Sequence, residues 1–372
     1  MENIPLVSFK EEMESLKKDF LKAFDEQLDK GEFIGGSSVQ NFESNFSKYL
    51  STKSTVGVGN GTDALVIALE SLKHKLKITE GKVIVPSFSF FATSEAIVKA
   101  GFEPEFVDVS LDTANINIDL IEDKINEEVV GIMPVHLFGK SSEMDPILNL
   151  KNKYSLFIVE DVAQAFGATY QGKPLGTIGD AGCYSFFPTK ILGAFGDGGA
   201  IVSDDSEIIE YSRMLRSHGS RVKYSNEIFG YNSRLDSVQA RFLDIKLRKI
   251  DQMIASRIEI GNYYASELEG IENIKLLDYK ESVFNYFTFL VPKYRDRLIK
   301  YLNSRNISTA IYYPKPLPSL EAHKIDNDRD LNFPNAKYLS ENIMSIPIWP
   351  NMSFEVVDIV VNEITNFFKS NK

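Results

Sequence analysis

The sequence predicts an α/β protein, with a large domain built on a mixed, mostly parallel sheet between helices and a smaller α+β domain after it. Two observations carry this. Short apolar segments at 55–59, 82–86, 104–109, 129–135 and 155–160 alternate with stretches of helical character, such as 62–76, 89–100 and 144–153. Beyond about residue 250 the alternation stops, and a Tyr- and Phe-rich segment at 284–291, a segment at 307–313 and a last helix at 353–370 follow. The domains are therefore expected at 1–250 and 251–372.

Taken in order, residues 11–30 read as a helix, and Phe42, Phe46 and Leu50, four apart, mark the buried face of a second. Gly31-Glu32-Phe33-Ile34-Gly35-Gly36 between them is a loop. After the alternating region, Cys183-Tyr184-Ser185-Phe186-Phe187 is a buried strand that Pro188 ends. A long polar helix from about Ser233 to Ile260 leads out of the large domain. No internal repeat or low-complexity tract interrupts the chain.

With 372 residues, 43% of them hydrophobic and 25% charged, the composition is that of a soluble globular protein. A net charge of −11 argues against nucleic acid or an anionic membrane as the main partner. Cys183 is single, so no internal disulfide forms. The N-terminal MENIPLVSFKEEMESLKKDF lacks the apolar core of a signal peptide, and the most apolar region, Val83 to Phe102, is interrupted by Pro86, Glu95 and Lys99. The expected location is the cytoplasm.

Sheets of this kind place their ligand sites beyond the carboxyl ends of the strands. Lys190 follows one such end in a glycine-crowded segment; a lysine desolvated there favours the neutral amine, which condenses with an aldehyde. Val56-Gly57-Val58-Gly59-Asn60-Gly61-Thr62-Asp63 turns a strand into a helix whose free N–H groups suit a phosphate, with the Thr62 hydroxyl as a further donor. The same residues also suit a plain helix start capped by Thr62. At the end of the strand Ile158-Val159, Glu160-Asp161 is either a solvated turn or a functional pair, with Asp161 placed to meet a protonated ring nitrogen and Gln164 to reach the same ligand. Ser185 is a second hydroxyl for the phosphate; Asn232 and Arg234 are candidate anion binders, or a helix start. Phe88-Ser89-Phe90-Phe91 offers an aromatic face, though core packing is the commoner use of such a trio. An amine for an aldehyde, a carboxylate for a ring nitrogen and hydroxyls for a phosphate together describe pyridoxal 5'-phosphate (PLP). A nicotinamide enzyme is disfavoured, because no G-x-G-x-x-G follows the strand.

The series GNGTDAL, VIVPSFSFFAT, VEDVAQAFGA, YSFFPTK, GDGGAI, RSHGS and GYNSRLDSVQAR strongly resembles the DegT-type nucleotide-sugar aminotransferases of PLP fold type I, from about Phe33 to Arg257 and more loosely to the end. The resemblance implies a homodimer with active sites at the subunit interface. It further implies Lys190 as the Schiff-base lysine and general acid/base, Asp161 as the partner of the pyridine nitrogen, and Phe90 as the stacking ring. Gln164 would lie near the ring oxygen, and Gly61, Thr62 and Ser185 would hold the phosphate with Asn232 of the other subunit. Glutamate is the implied amino donor and a nucleotide-linked keto sugar the acceptor. The forms GNGTDAL, LGAFGDGGAI and HGS look more like members acting at C3 of dTDP-3-keto-6-deoxyhexoses, for a surface glycan, than like those acting at C4. A PLP-binding regulator without turnover is the alternative from another class. The chain departs from many relatives at Ser282 and Asn285, where those carry an H-x-x-H run, and at Tyr312-Tyr313-Pro314-Lys315-Pro316-Leu317-Pro318. Tyr184, Tyr312 and Tyr313 are the candidate sugar contacts, and Arg216, His218, Arg221 and Lys223 the candidates for the diphosphate.

Overall fold

Nearly continuous runs of Val, Ile and Phe form the inner strands of a seven-stranded sheet, as expected where both faces are covered. In the computed structural model, which describes residues 3–323 and 333–370, its strands are β1 (Ser54–Val58), β2 (Lys82–Pro86), β3 (Glu103–Val107), β4 (Val129–Ile132), β5 (Phe157–Asp161), β8 (Ala181–Ser185) and β9 (Gly199–Ser203). Between β5 and β8 lies a two-stranded ribbon of β6 (Thr169–Tyr170) and β7 (Lys173–Pro174). The strand order is β1-β9-β8-β5-β4-β2-β3, and only β9 runs against its neighbours.

Helices cover both faces. On α1 (Lys10–Lys30), Leu16, Phe20, Ala23 and Gln27 lie one or two turns apart on the buried stripe, and the helix ends where Gly31 takes a left-handed conformation (φ 66°). On α2 (Gly36–Leu50), Phe42, Phe46 and Leu50 are buried against the same side of the sheet as α7 (Ser237–Leu247). The opposite face carries α3 (Gly61–Leu76), α4 (Phe91–Lys99) and α6 (Ser206–Leu215); from Ala64 to Leu69 every residue of α3 is buried, since it is packed between β8 and β9 beneath and α4 and α6 beside it. Helix α5 (Met144–Tyr154) closes a separate cluster over β4 and β5.

The expected helix from Ser233 to Ile260 is two helices. α7 stops at Leu247, and α8 (Ile250–Leu268) begins after Lys249 leaves helical geometry at φ −115°, ψ 7°. No Gly or Pro marks the break. It redirects the chain: Ile250, Met253 and Ile254 remain in the core shared with α1 and α2, whereas Ile260, Tyr264 and Leu268 enter the C-terminal core. That second core lies on a sheet of β12 (Lys275–Leu276), β13 (Phe287–Leu290) and β14 (Ile343–Ile346), with α9 (Arg295–Ser304) and α11 (Phe354–Ser370). The segment 307–313 makes isolated bridges instead of a strand, Ile307 with Ile4 and Ala310 with Ser345. Ile4 thus packs with the C-terminal core, although it lies far on the other side of residue 250 in sequence.

Asp108, just past β3, ties the two regions together. Its buried carboxylate accepts from the N–H groups of Asn335 and Ala336, each at 2.9 Å, at the start of α10 (Pro334–Asn342), and from the Ser87 hydroxyl at 3.3 Å. A carboxylate at a helix N-terminus satisfies donors that have no partner within the helix. Asp108→Ala is therefore expected to cost about 2–4 kcal/mol, measured as a drop in the thermal or denaturant midpoint.

Candidate active site

A cavity of about 490 Å³ opens at the carboxyl ends of β1, β5 and β8. At one end lies the start of α3. Asn60, not Thr62, is the cap: its Oδ1 accepts from Asp63 N–H at 2.8 Å, and its carbonyl from Ala64 N–H. The Asp63 carboxylate turns back to accept from Asn60 Nδ2 at 3.0 Å and is not part of the cavity wall. The N–H groups of Gly61 and Thr62 are left without a helical acceptor, and the Thr62 and Ser185 side chains line the cavity beside them. Glycine is required at 61, because a Cβ there would lie 2.7 Å from Ser185 Cβ. This close approach brings strand end and helix start together as one cradle of donors.

The two carboxylates at the end of β5 face opposite ways, as successive residues of a strand must. Glu160 is fully buried away from the cavity; its oxygens accept from the N–H groups of Gly176, Ile178 and Gly179, and His136 Nε2 lies 3.1 Å away. His136 Nδ1 accepts from Ser142 N–H, so the proton toward Glu160 is on Nε2. Asp161 lines the cavity. Its Oδ2 accepts from the Thr93 hydroxyl at 2.8 Å and its Oδ1 from Ala163 N–H at 3.1 Å. Burial raises its carboxyl above the ordinary range, against the opposing pull of these hydrogen bonds and of Lys190 and His136. A buried carboxylate in this state is stabilised by an arriving cation such as a protonated ring nitrogen.

Lys190 sits on a loop that folds back on itself after β8. Lys190 N–H donates to Phe187 O and Ala194 N–H to Phe186 O. Helix α7 anchors the far side of the loop: the buried Lys246 ammonium donates to Gly193 O at 2.6 Å, and Gln239 Oε1 accepts from Phe195 N–H at 2.8 Å. The half-buried Lys190 side chain enters the cavity, with its Nζ 5.7 Å from the centre of the Tyr286 ring. Of the aromatic trio, Phe88 is core, whereas Phe90 is 55% exposed and lines the cavity, with its ring 5.9 Å from that of Tyr313. Gln164 Oε1 accepts from Phe138 N–H and its Nε2 donates to Tyr313 Oη at 2.8 Å, which fixes the amide in place and leaves one N–H unused. Donors for an anion, a buried carboxylate, an amine and an open aromatic face fit the phosphate, ring nitrogen, aldehyde and flat ring of PLP.

Residues 14–365 match the DegT/DnrJ/EryC1/StrS aminotransferase family. The chain belongs to this family. It is 37% identical, over 98% of its length and 99% of the relative's, to a dTDP-3-amino-3,6-dideoxy-alpha-D-galactopyranose transaminase of Aneurinibacillus thermoaerophilus. It is 36% identical, over 99% of both chains, to a pleiotropic regulatory protein of Geobacillus stearothermophilus. Among solved structures it resembles S. venezuelae DesV in complex with a ketimine intermediate, with a TM-score of 0.94, 34% identity and 99% of each chain covered. The protein is a PLP-dependent sugar aminotransferase.

The aminotransferase places several other expected residues elsewhere. Tyr184 is not a sugar contact: its ring is buried among Phe46 and Phe166 on the far face of β8, and its hydroxyl donates to Leu175 O. Cys183, one residue earlier, faces α3 with its Sγ 3.3 Å from Ala64 O, so strand alternation forbids Tyr184 the cavity side. Arg216 is committed to structure, pairing with Glu43 and donating to Gly57 O at 2.6 Å, and so is not free for a diphosphate. His218, Arg221 and Lys223 line a second cavity of about 1220 Å³ beside the hairpin of β10 (Ser220–Val222) and β11 (Ser225–Asn226). Asn232 is exposed, accepts from Arg234 Nη2 at 2.5 Å, and does not line the cavity that holds Lys190 and Asp161 in its own chain. Ser282 and Asn285 are buried beneath the cavity and not part of its wall. Tyr312 and Tyr313 do line it. Sequence reasoning missed Tyr286 and Thr189, which share this wall with Lys190.

Proposed function

We propose that the protein transfers an amino group from glutamate to C3 of a dTDP-3-keto-6-deoxyhexose, giving the dTDP-3-amino-3,6-dideoxyhexose used in a surface glycan or lipopolysaccharide. The observation that carries this reading is the meeting of Lys190, Asp161, Phe90 and the Gly61-Thr62-Ser185 cradle in one cavity. The activity for which the Aneurinibacillus relative is named favours C3 and a dTDP sugar.

When bound, PLP supplies the aldehyde that carries the amino group and the ring that accepts electrons from the substrate's carbon. The chain's residues do the rest. The N–H groups of Gly61 and Thr62 and the hydroxyls of Thr62 and Ser185 would hold the phosphate, and Phe90 would offer its exposed face to the ring. Asp161 keeps a proton on the ring nitrogen, oriented by Thr93 and Ala163. Gln164, its amide fixed by Phe138 and Tyr313, offers its remaining N–H to the ring oxygen. Lys190 Nζ takes a proton from the α carbon of the donor and, in the second half of the cycle, returns one to C3 of the sugar. Tyr312 and Tyr313 flank the sugar.

The active unit in this reading is a homodimer in which Asn232 completes the partner's phosphate site. The hairpin before Asn232 supports it: Phe229 and Tyr224 are 102% and 88% exposed, apolar surface that suits a second copy. The cytoplasmic placement rests on the single Cys183, and no described helix is long and apolar enough to cross a membrane.

Incubating the PLP-loaded protein with glutamate and dTDP-3-keto- and dTDP-4-keto-6-deoxyhexoses, with product analysis by NMR, tests the proposal. Nitrogen at C3 is expected; nitrogen at C4 would overturn the regiochemistry. Absence of turnover with any keto sugar would favour the regulator that the Geobacillus relative's name suggests.

A further inference from the structure

The loop that carries Lys190 is tied to the N-terminal helix through a buried ion pair that no step of amino transfer uses. Lys246 of α7 is 3% exposed, and its Nζ lies 2.5 Å from Oε1 of Glu12 on α1, itself 8% exposed. The same ammonium donates to Gly193 O at 2.6 Å. At Gly193 the two limbs of the loop touch: a Cβ there would lie 2.3 Å from Pro188 O, two residues before Lys190. A hold on Gly193 is therefore a hold on the backbone that leads into Lys190.

The loop's other bonds do less to fix it to the body of the protein. Lys190 N–H to Phe187 O at 2.8 Å and Ala194 N–H to Phe186 O at 2.7 Å lie within the loop and the strand end it follows, and Gln239 holds only its exposed outer end at Phe195. A buried ion pair adds little stability over apolar side chains of the same volume, so stability alone does not explain Glu12 and Lys246. What an apolar side chain could not supply is a charged donor aimed at a loop carbonyl. Glu12 is the counter-ion that opposes the cost of burying that donor. Arg257 of α8, the other buried cation within electrostatic reach of Glu12, has its own partner in Phe284 O at 3.2 Å.

We propose that Lys246 and Glu12 are positioning residues for Lys190: the pair pins Gly193 O against α1 and α7, so that the folded-back loop keeps the Lys190 side chain turned into the cavity. The pair touches neither substrate nor cofactor and acts through the backbone between Pro188 and Gly193. This inference rests on Lys190 being the reactive lysine.

The test uses the full-length protein and needs no turnover. Lys246→Met removes the tether but leaves the Glu12 carboxylate buried and unpaired, so its melting midpoint should fall. The double variant Glu12→Gln/Lys246→Met removes one charge of each sign, leaves the net charge around Arg257 unchanged, and is expected to melt near the wild type. In the cofactor-free proteins, hydrogen exchange in the peptide spanning 187–195 should be on the order of tenfold faster in both variants, while α3 in the double variant stays protected as in the wild type. Fixation of PLP on Lys190, followed by timed borohydride quenching and peptide mass spectrometry, should be about tenfold slower in both. Pyridoxamine phosphate has no aldehyde for Lys190, so its Kd should be unchanged in the double variant. A merely structural role would leave all three readouts at wild type wherever melting is restored. Loop exchange and PLP fixation at wild-type rates in the double variant therefore overturn the inference, and so does a loss of pyridoxamine phosphate binding as large as the loss in fixation. If Lys246→Met does not fold, the double variant decides alone. Wild-type protein that takes no PLP on Lys190 would instead overturn the site assignment, and loop exchange in the cofactor-free proteins would still test the tether.

Discussion

Lys190→Ala is expected to lose amino transfer by at least about four orders of magnitude, because both the attachment point of the cofactor and the proton-moving group go with one side chain. The fold should survive. Lys190 is half-buried and makes no hydrogen bond through its ammonium among the described residues, and the loop carrying it is held by backbone bonds and by Lys246 and Gln239 of α7. Near-wild-type circular dichroism and melting, with no turnover in a coupled 2-oxoglutarate assay, is the expected pair of results. Amino transfer at wild-type rate by the folded variant would remove Lys190 from the mechanism.

Asp161→Asn is the second large effect. Asparagine keeps the shape, and its one carbonyl oxygen can still accept from Ala163 N–H while its Nδ2 donates to the Thr93 hydroxyl, but it cannot keep a proton on the ring nitrogen by charge. Amino transfer is expected to fall on the order of 10²–10³-fold. Stability should move the other way or not at all, since the carboxylate is buried and its ionised form is disfavoured by that burial. The opposite behaviour is expected at the neighbouring residue, where Glu160 accepts three backbone N–H bonds within the core: Glu160→Ala leaves those donors unpaired and should destabilise the fold. Comparing kcat and melting midpoint across the two carboxylate variants separates the roles of adjacent residues on one strand.

Much of the fold was legible because the strand and helix segments differ in period and are separated by turn residues. The strand ends that line the candidate site were legible for the same reason: polar or charged residues within a few positions of an apolar run, as at Thr62, Asp161 and Lys190, fall where a parallel sheet exposes its ends. Four features escaped for identifiable reasons. Tyr184 was misplaced because its motif was read as a block; alternation from Ser185, which faces the cradle, would have turned Tyr184 into the core. The break between α7 and α8 carries no Gly or Pro, and is imposed by the need to leave one core for another. Tyr286 lies in an aromatic segment that reads as plain strand, and only the tertiary fold brings it to Lys190. Asn60 and Thr62 were both eligible caps by residue type, and the contest was decided by backbone geometry: Asn60 is extended at φ −165°, ψ 172°, outside the helix that begins at Gly61.

The measurement that bears most directly on this account is borohydride reduction of the PLP-loaded protein, followed by peptide mass spectrometry. The account predicts a pyridoxyl phosphate mass on the peptide containing Lys190, in near-stoichiometric amount and lost from that peptide if glutamate is added before the reductant. A folded, PLP-treated protein with Lys190 unmodified, or with the label on another lysine, would contradict it.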